Sequence, residues 1–158
     1  MADPVILRSS RTYPVPLEQA FDLVLPAALE RFFTRRYGPI PPIKGVEGQQ
    51  GLWGTVGQTR TVRLADGGSM REELVSVDRP NSFGYRLTDL TGPLKPLASS
   101  VEGLWSFAPA GSGVRISWQW TVHPVSRLGA LALPVFGRFW HGYARQALEQ
   151  LETLLLPA

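Results

Sequence analysis

The C-terminal segment from Pro134 to Leu156 constrains the fold more than any other part of the sequence. Its apolar residues recur at steps of three and four, the spacing of one helix face, and they are Phe136, Trp140, Tyr143, Ala147, Leu151 and Leu154. Charged and amide residues lie mostly off this line. The front of the stripe is aromatic, whereas its rear half consists of Ala and Leu. A helix of this kind needs a large apolar surface to pack against, and the rest of the chain must supply that surface.

A series of short strands between Ile43 and Val122 is predicted to form that surface. Alternation with a period of two is clearest in the last strand, where one face carries Val114, Ile116, Trp118, Trp120 and Val122. Such alternation is typical of an antiparallel sheet that buries one face. Earlier strands are predicted at Val5 to Tyr13 and at residues 43–47, 56–64, 69–77, 83–88 and 101–107.

Two short helices are expected between the first two strands. Pro16 and Glu18 suit the start of the first helix. Pro26 interrupts it, because a proline in a helix interior costs about 3 kcal/mol, and residues 27–37 are expected to continue as a second helix. The plan is therefore α+β. It is a single domain over residues 1–158 in which a curved antiparallel sheet of about seven strands surrounds a long C-terminal helix.

The predicted inward faces converge on an unusually aromatic set of side chains. A cavity lined mainly by such groups, with a few polar ones, is typical of a ligand site. The candidate ligand contacts on the sheet and the helix are Tyr85, Leu87, Trp105, Phe107, Trp118, Trp120, Phe136, Trp140 and Tyr143. Trp53 joins them as an aromatic lid in a glycine-rich turn, although the same turn also suits a simple bend of the strand. The pattern is equally compatible with an open pocket and with a core that the rings fill.

Arg60 and Glu73 are the candidate polar residues of this site. The Asp66-Gly67 pair is a hairpin turn signal, and a two-residue loop places Arg60 directly opposite Glu73 as a cross-strand ion pair. On the cavity side, such a pair would orient a polar ligand head. At an exposed sheet edge, the favoured interpretation, it would contribute less than about 1 kcal/mol. The pairing changes if the turn contains a third residue.

Composition excludes several classes of function. The chain has no cysteine and only two histidines, His123 and His141, so we expect no metal, no cofactor and no named catalytic residue. Nucleophile-elbow and nucleotide-binding glycine motifs are absent. The arginines are scattered, which argues against nucleic acid as a partner. The most apolar window, residues 128–136, is shorter than the roughly 20 residues that span a bilayer. With no signal-peptide pattern, we expect a cytoplasmic monomer or homodimer without stable membrane insertion.

Four segments carry a resemblance to a known superfamily, and together they cover nearly the whole chain. They are GTVGQTRTVRLADGG, REELVSVDRPNSFGYRL, LWSFAPAGSGVRISWQW and FGRFWHGYARQALEQLETLL. The chain resembles the helix-grip (SRPBCC) superfamily of START lipid-transfer domains and birch-pollen-type allergens, and most of all its bacterial polyketide cyclase/dehydrase-like branch. The resemblance implies a hydrophobic pocket between the long helix and the sheet. It does not imply one activity, because members range from lipid carriers to ring-closing enzymes.

Three functions follow in order of preference. The first is binding or carriage of a small hydrophobic molecule, either lipid-like or of the polyketide and aromatic type. The second is a cyclase/aromatase-type enzyme that acts by positioning its substrate, for which Arg60, Tyr143 and His123 are the residues to test. The third is a protein-interaction module that uses the sheet face or the loop at residues 91–99.

Overall fold

Residues 2–157 are described by a computed structural model, in which seven antiparallel strands form one curled sheet against a long C-terminal helix. The strand order is β1-β7-β6-β5-β4-β3-β2. In chain order the elements are β1 (Val5–Tyr13), α1 (Leu17–Val24), a 3₁₀ turn (Leu29–Arg31), β2 (Ile43–Glu47), β3 (Thr59–Leu64), β4 (Ser69–Asp78), β5 (Ser82–Thr88), β6 (Ala98–Ala110), β7 (Gly113–Pro124) and α2 (Arg127–Leu155). The predicted α+β helix-grip plan is confirmed.

The core lies between the inner face of the sheet and α2. In β7 every second side chain from Val114 to Val122 is buried, as the alternation predicts. Trp118 pairs in register with Trp105 of β6, so the two strands place their indoles side by side on the inner face. Helix α2 presents its apolar stripe to the same space, and Trp140 at its centre is only 1% exposed.

Helix α2 begins seven residues before the predicted start at Pro134, so that prediction is wrong. Ser126 caps the helix, because its hydroxyl accepts a hydrogen bond of 3.0 Å from the backbone N–H of Gly129. Pro134 therefore lies inside the helix, where its ring and missing N–H are unfavourable. Burial of Leu133 and the close packing of Gly129 on the Leu97 backbone stabilise the first turns nonetheless.

The second short helix, expected at residues 27–37, is also wrong, because only the 3₁₀ turn at Leu29–Arg31 forms. Phe32 and Phe33 are both buried, but the helix does not continue through them. The backbone carbonyl of Phe33 instead accepts a hydrogen bond of 3.0 Å from Ile43 N–H. Tertiary contacts therefore hold this segment in an irregular path beneath the sheet.

The hairpin between β3 and β4 corrects the predicted ion pair. Leu64 N–H donates to Gly68 carbonyl at 2.9 Å, so the loop consists of residues 65–67, and Gly67 adopts a positive φ of 92°. This is the three-residue hairpin with a glycine in the left-handed region. The extra residue shifts the register, so Arg60 lies opposite Glu72, whereas Glu73 lies opposite Thr59. Strand β3 also begins at Thr59 rather than at Val56, which is exposed.

Within residues 2–157, no helix combines the length and the apolar character needed to cross a membrane.

Candidate functional site: an aromatic cavity with one polar wall

A small cavity of about 80 Å³ lies between the inner sheet face and helix α2. Its wall combines sheet residues, the front of α2, the segment after α1 and two loops. An engineered cavity of about 150 Å³ holds one benzene molecule, and ligand pockets usually measure about 300–1,000 Å³. The cavity as it stands is therefore smaller than a typical ligand.

Stacked rings account for this small volume. Trp105 and Trp118 lie nearly parallel with centroids 5.5 Å apart, and Trp118 packs on Trp140 at 4.9 Å. Phe33, from the segment that was predicted to be helical, stacks on Tyr143 of α2 at 5.5 Å. The aromatic residues thus fill most of the space between sheet and helix and leave a narrow cavity beside them.

Most of the residues predicted as ligand contacts line the cavity. They are Trp53, Arg60, Tyr85, Leu87, Trp105, Trp118, Trp120, Phe136 and Tyr143. Phe107 does not, because it packs against Phe21 of α1 at 5.2 Å. Trp140 lies behind Trp118 in the ring stack and does not reach the cavity. Glu73 does not line the cavity either, since strand alternation directs its side chain away from the face that carries Glu72.

Arg60 and Glu72 form a buried ion pair on the cavity wall. Arg60 Nε donates to Glu72 Oε1 at 2.7 Å, and the two side chains are only 3% and 5% exposed. Arg60 Nη1 also donates to Gln49 Oε1 at 2.9 Å, and the guanidinium carbon lies 3.8 Å from the centroid of the Trp53 ring. Burial raises the pKa of Glu72 above its ordinary value, although Arg60 acts in the opposite direction. The ion pair predicted to be exposed is therefore buried, and the partner of Arg60 is Glu72 rather than Glu73.

Arg60 also borders a second depression, on the outer surface. This outer groove has a volume of about 330 Å³ and lies between residues 26–30 and residues 46–49. Because Arg60 lines both spaces, its guanidinium lies between the outer groove and the inner cavity. Any molecule that passes from one to the other here must move past Arg60.

Tyr85, on the strand next to Glu72, supplies a hydroxyl group to the wall. Its oxygen accepts hydrogen bonds from Trp118 Nε1 at 2.8 Å and Trp120 Nε1 at 2.9 Å. The Tyr85 ring reaches these indoles by crossing β6 at Gly103, where any side chain would overlap it. Burial raises the pKa of Tyr85, so the phenol stays protonated. Tyr143, in contrast, donates its hydroxyl proton to Pro41 carbonyl at 3.0 Å.

Comparison with known proteins agrees with this architecture. A family model described as "Polyketide cyclase / dehydrase and lipid transport" matches residues 4–155. The chain belongs to this family. No curated protein matches the sequence.

Solved structures match the fold at low sequence identity. Major latex-like protein 151 from Panax ginseng is 14% identical with a TM-score of 0.70, and the match covers 99% of this chain and 100% of that one. TTHA0849 from Thermus thermophilus is 19% identical with a TM-score of 0.69, covering 96% and 97%. DynU16, a protein in the dynemicin biosynthetic locus, is 15% identical with a TM-score of 0.61, covering 94% of this chain and 47% of that one.

The Trp53 loop, residues 48–57, closes the cavity of this family member from the side of β3. Trp53 is 2% exposed, whereas its neighbour Leu52 is 81% exposed. The Gln58 side chain stabilises the loop through hydrogen bonds to its backbone. Its Oε1 accepts from the backbone N–H groups of Gly54 and Thr55, and its Nε2 donates to the carbonyls of Gln50 and Leu52. One side chain therefore holds most of this loop, which has no strand or helix of its own.

Sequence reasoning missed Glu72 and the part of the wall that follows α1. A signal for Glu72 was present, because it lies between Met70 and Leu74 at every second position of β4 and therefore on their apolar face. All three side chains are buried in the structure. The segment after α1 carried a misleading signal, because Leu25, Leu29, Phe32 and Phe33 have the spacing of one helix face although no α-helix forms there. Ile40 and Pro41, which also line the cavity, follow no such spacing.

The two histidines lie outside the cavity wall. His123 Nε2 lies 2.9 Å from Glu102 Oε1 at the exposed end of β7, and His141 is exposed on α2. The sequence had shown no acid partner for His123. Within residues 2–157, no group of three or more His, Asp or Glu side chains is placed to hold a metal ion.

Proposed function

We propose that this protein binds a small hydrophobic molecule in the cavity between the sheet and α2. The observation that carries the proposal is a largely aromatic and aliphatic cavity wall on which a few polar groups converge, namely Arg60, Glu72 and the Tyr85 hydroxyl. Such a combination is typical of ligand sites. The family description, which includes lipid transport, supports the same class of ligand.

A ligand larger than a single ring requires the cavity to widen. Three parts of the wall belong to neither the sheet nor α2, namely the loop around Pro93, the Trp53 loop and the segment at residues 26–31, and the last two are the better candidates to move. Both also border Arg60 or the outer groove. Entry therefore takes place between these two segments, with displacement of Trp53 and Arg60.

Titration with naphthalene tests the proposal, with the indole N–H resonances of Trp118 and Trp120 followed by ¹H–¹⁵N NMR. Both resonances are expected to shift, because both rings line the cavity. Leu29→Phe, which adds bulk to a half-buried cavity residue, is expected to weaken binding. Leu131→Phe is the matched control, since Leu131 is 76% exposed on α2. Indole resonances that do not move, or equal weakening by the two variants, would contradict the proposal.

A second candidate is a cyclase/aromatase-type enzyme, and Glu72 is the observation that favours it. A buried carboxyl with a raised pKa beside an arginine in a cavity is a typical acid–base arrangement. In this function Glu72 exchanges a proton with a bound poly-β-ketone while the aromatic wall holds it folded and excludes water.

The enzyme hypothesis predicts that Glu72→Gln and Arg60→Ala abolish ring closure of a model poly-β-ketone thioester, followed by product absorbance. Tyr143→Phe is expected to reduce it, because the lost hydrogen bond to Pro41 loosens the wall. His123→Ala is the control and leaves turnover unchanged, since His123 pairs with Glu102 outside the cavity. Full activity in Glu72→Gln would eliminate this function and leave binding intact.

A further inference from the structure

The Tyr85 hydroxyl has an unused hydrogen-bond donor. An indole N–H can only donate, and a phenol oxygen has two lone pairs and one proton. Because Trp118 and Trp120 both donate to this oxygen, both lone pairs are occupied and the Tyr85 proton takes no part in either bond. Among residues 2–157, no group accepts that proton.

The position of this donor is set by its surroundings. Tyr85 is 7% exposed and lies on the cavity wall, its ring lies over Gly103, and its oxygen is held by the two indole N–H groups. A buried donor without an acceptor is unfavourable, so an acceptor that enters the cavity gains this bond. The two incoming N–H bonds also polarise the hydroxyl, which strengthens it as a donor.

Charge balance restricts what the acceptor can be. Arg60 and Glu72 already neutralise each other in the cavity wall at 2.7 Å. A ligand carboxylate would add a second buried anion without a second cation, which is strongly unfavourable. A neutral carbonyl oxygen accepts the Tyr85 proton without this penalty.

We propose that Tyr85 is the polar anchor of the cavity and that it selects neutral apolar molecules that carry a carbonyl oxygen, such as ketones or esters, over hydrocarbons and carboxylates. This inference rests on the proposed binding function and names its ligand class. The ligand's carbonyl oxygen accepts from Tyr85 Oη while its apolar body packs against the indoles and α2.

The experiment compares acetophenone with α-methylstyrene, which has the same shape but a methylene group in place of the oxygen. Affinities of both probes are measured for the wild-type protein and for Tyr85→Phe. The ratio of ketone to hydrocarbon affinity is expected to fall about tenfold in the variant, as for one lost hydrogen bond. Benzoate is expected not to bind either protein.

Infrared spectroscopy of ¹³C-carbonyl acetophenone provides a second measurement that does not depend on the stability of Tyr85→Phe. In the wild-type protein, the carbonyl stretch is expected at the frequency of a hydrogen-bonded ketone. Incorporation of 3-fluorotyrosine at position 85 makes the phenol a stronger donor and is expected to lower the frequency further. A bond from an indole N–H would not respond in this way.

The possible results separate the two proposals. If both probes bind but the carbonyl stretch is that of a ketone in hydrocarbon, or does not respond to 3-fluorotyrosine, the anchor is overturned and the binding function stands. Because Tyr85→Phe also frees the indole N–H groups of Trp118 and Trp120, an unchanged affinity ratio has the same meaning when the wild-type carbonyl stretch does not respond to 3-fluorotyrosine. If neither probe binds the wild-type protein, both proposals fall.

Discussion

Replacement of Arg60 by methionine tests the buried ion pair directly. The substitution retains an apolar stem of similar length and leaves the Glu72 carboxylate, which is 5% exposed, without its cation. Breaking a buried pair in this way costs about 3–5 kcal/mol at neutral pH. In a domain of this size, about 1 kcal/mol lowers Tm by roughly 2–4 °C, so Tm should fall by about 6–20 °C. Urea unfolding followed by circular dichroism gives the free energy of unfolding.

The pH dependence of this loss has a defined sign. Burial already raises the pKa of folded Glu72, and removal of Arg60 removes the interactions that lower it. A carboxyl group whose folded pKa is raised stabilises the fold below its unfolded pKa, near 4.3, and this contribution is lost as the pH rises through the folded pKa. The destabilisation of Arg60→Met should therefore be smallest in acid and should increase towards neutral pH.

Two further variants isolate the effect. Arg60→Met combined with Glu72→Gln removes the ionisable group, so the increase of the loss with pH should disappear. Arg63→Met is the matched control on the same strand, because Arg63 pairs with Glu47 at 2.9 Å but the two side chains are 45% and 62% exposed. Its loss should stay below about 1 kcal/mol. A pH-independent loss in Arg60→Met, or one no larger than in Arg63→Met, would refute the argument from burial.

Three other substitutions test local features of the fold. Gly103→Ala should lower the free energy of unfolding by about 1–3 kcal/mol, since its Cβ would overlap the Tyr85 ring. The control Gly45→Ala has free space around the new Cβ and should be nearly neutral. Equal urea midpoints for the two variants would show that the ring does not cross β6 at this point. Ser126→Ala should cost about 1 kcal/mol in thermal unfolding by loss of the α2 cap, and an unchanged Tm would place the start of the helix later. Gln58→Ala should accelerate amide hydrogen exchange of the Trp53 loop and speed both entry and release of naphthalene, and unaltered exchange would show that other contacts hold the loop.

The local pattern of apolar residues was sufficient to predict the architecture. The alternation in β7 and the three-and-four spacing from Phe136 to Leu151 depend only on which side of an element a residue occupies, and that side follows from backbone geometry. The same patterns placed most of the cavity residues on the correct faces. A long amphipathic helix and a one-sided sheet bury their apolar faces against each other, so the α+β plan follows from these patterns, whereas the name helix-grip came from the family resemblance.

Tertiary structure decided the register, the path of the segment after α1 and the size of the cavity. One additional residue in the turn at Gly67 paired Arg60 with Glu72 instead of Glu73, because a shift of one residue exchanges the two faces of a strand. Phe33 stacks on Tyr143 from a segment that is not helical, although the local spacing of its apolar residues predicted a helix. The volume that remains, about 80 Å³, depends on how rings from distant segments pack against one another, which no single stretch of the sequence specifies.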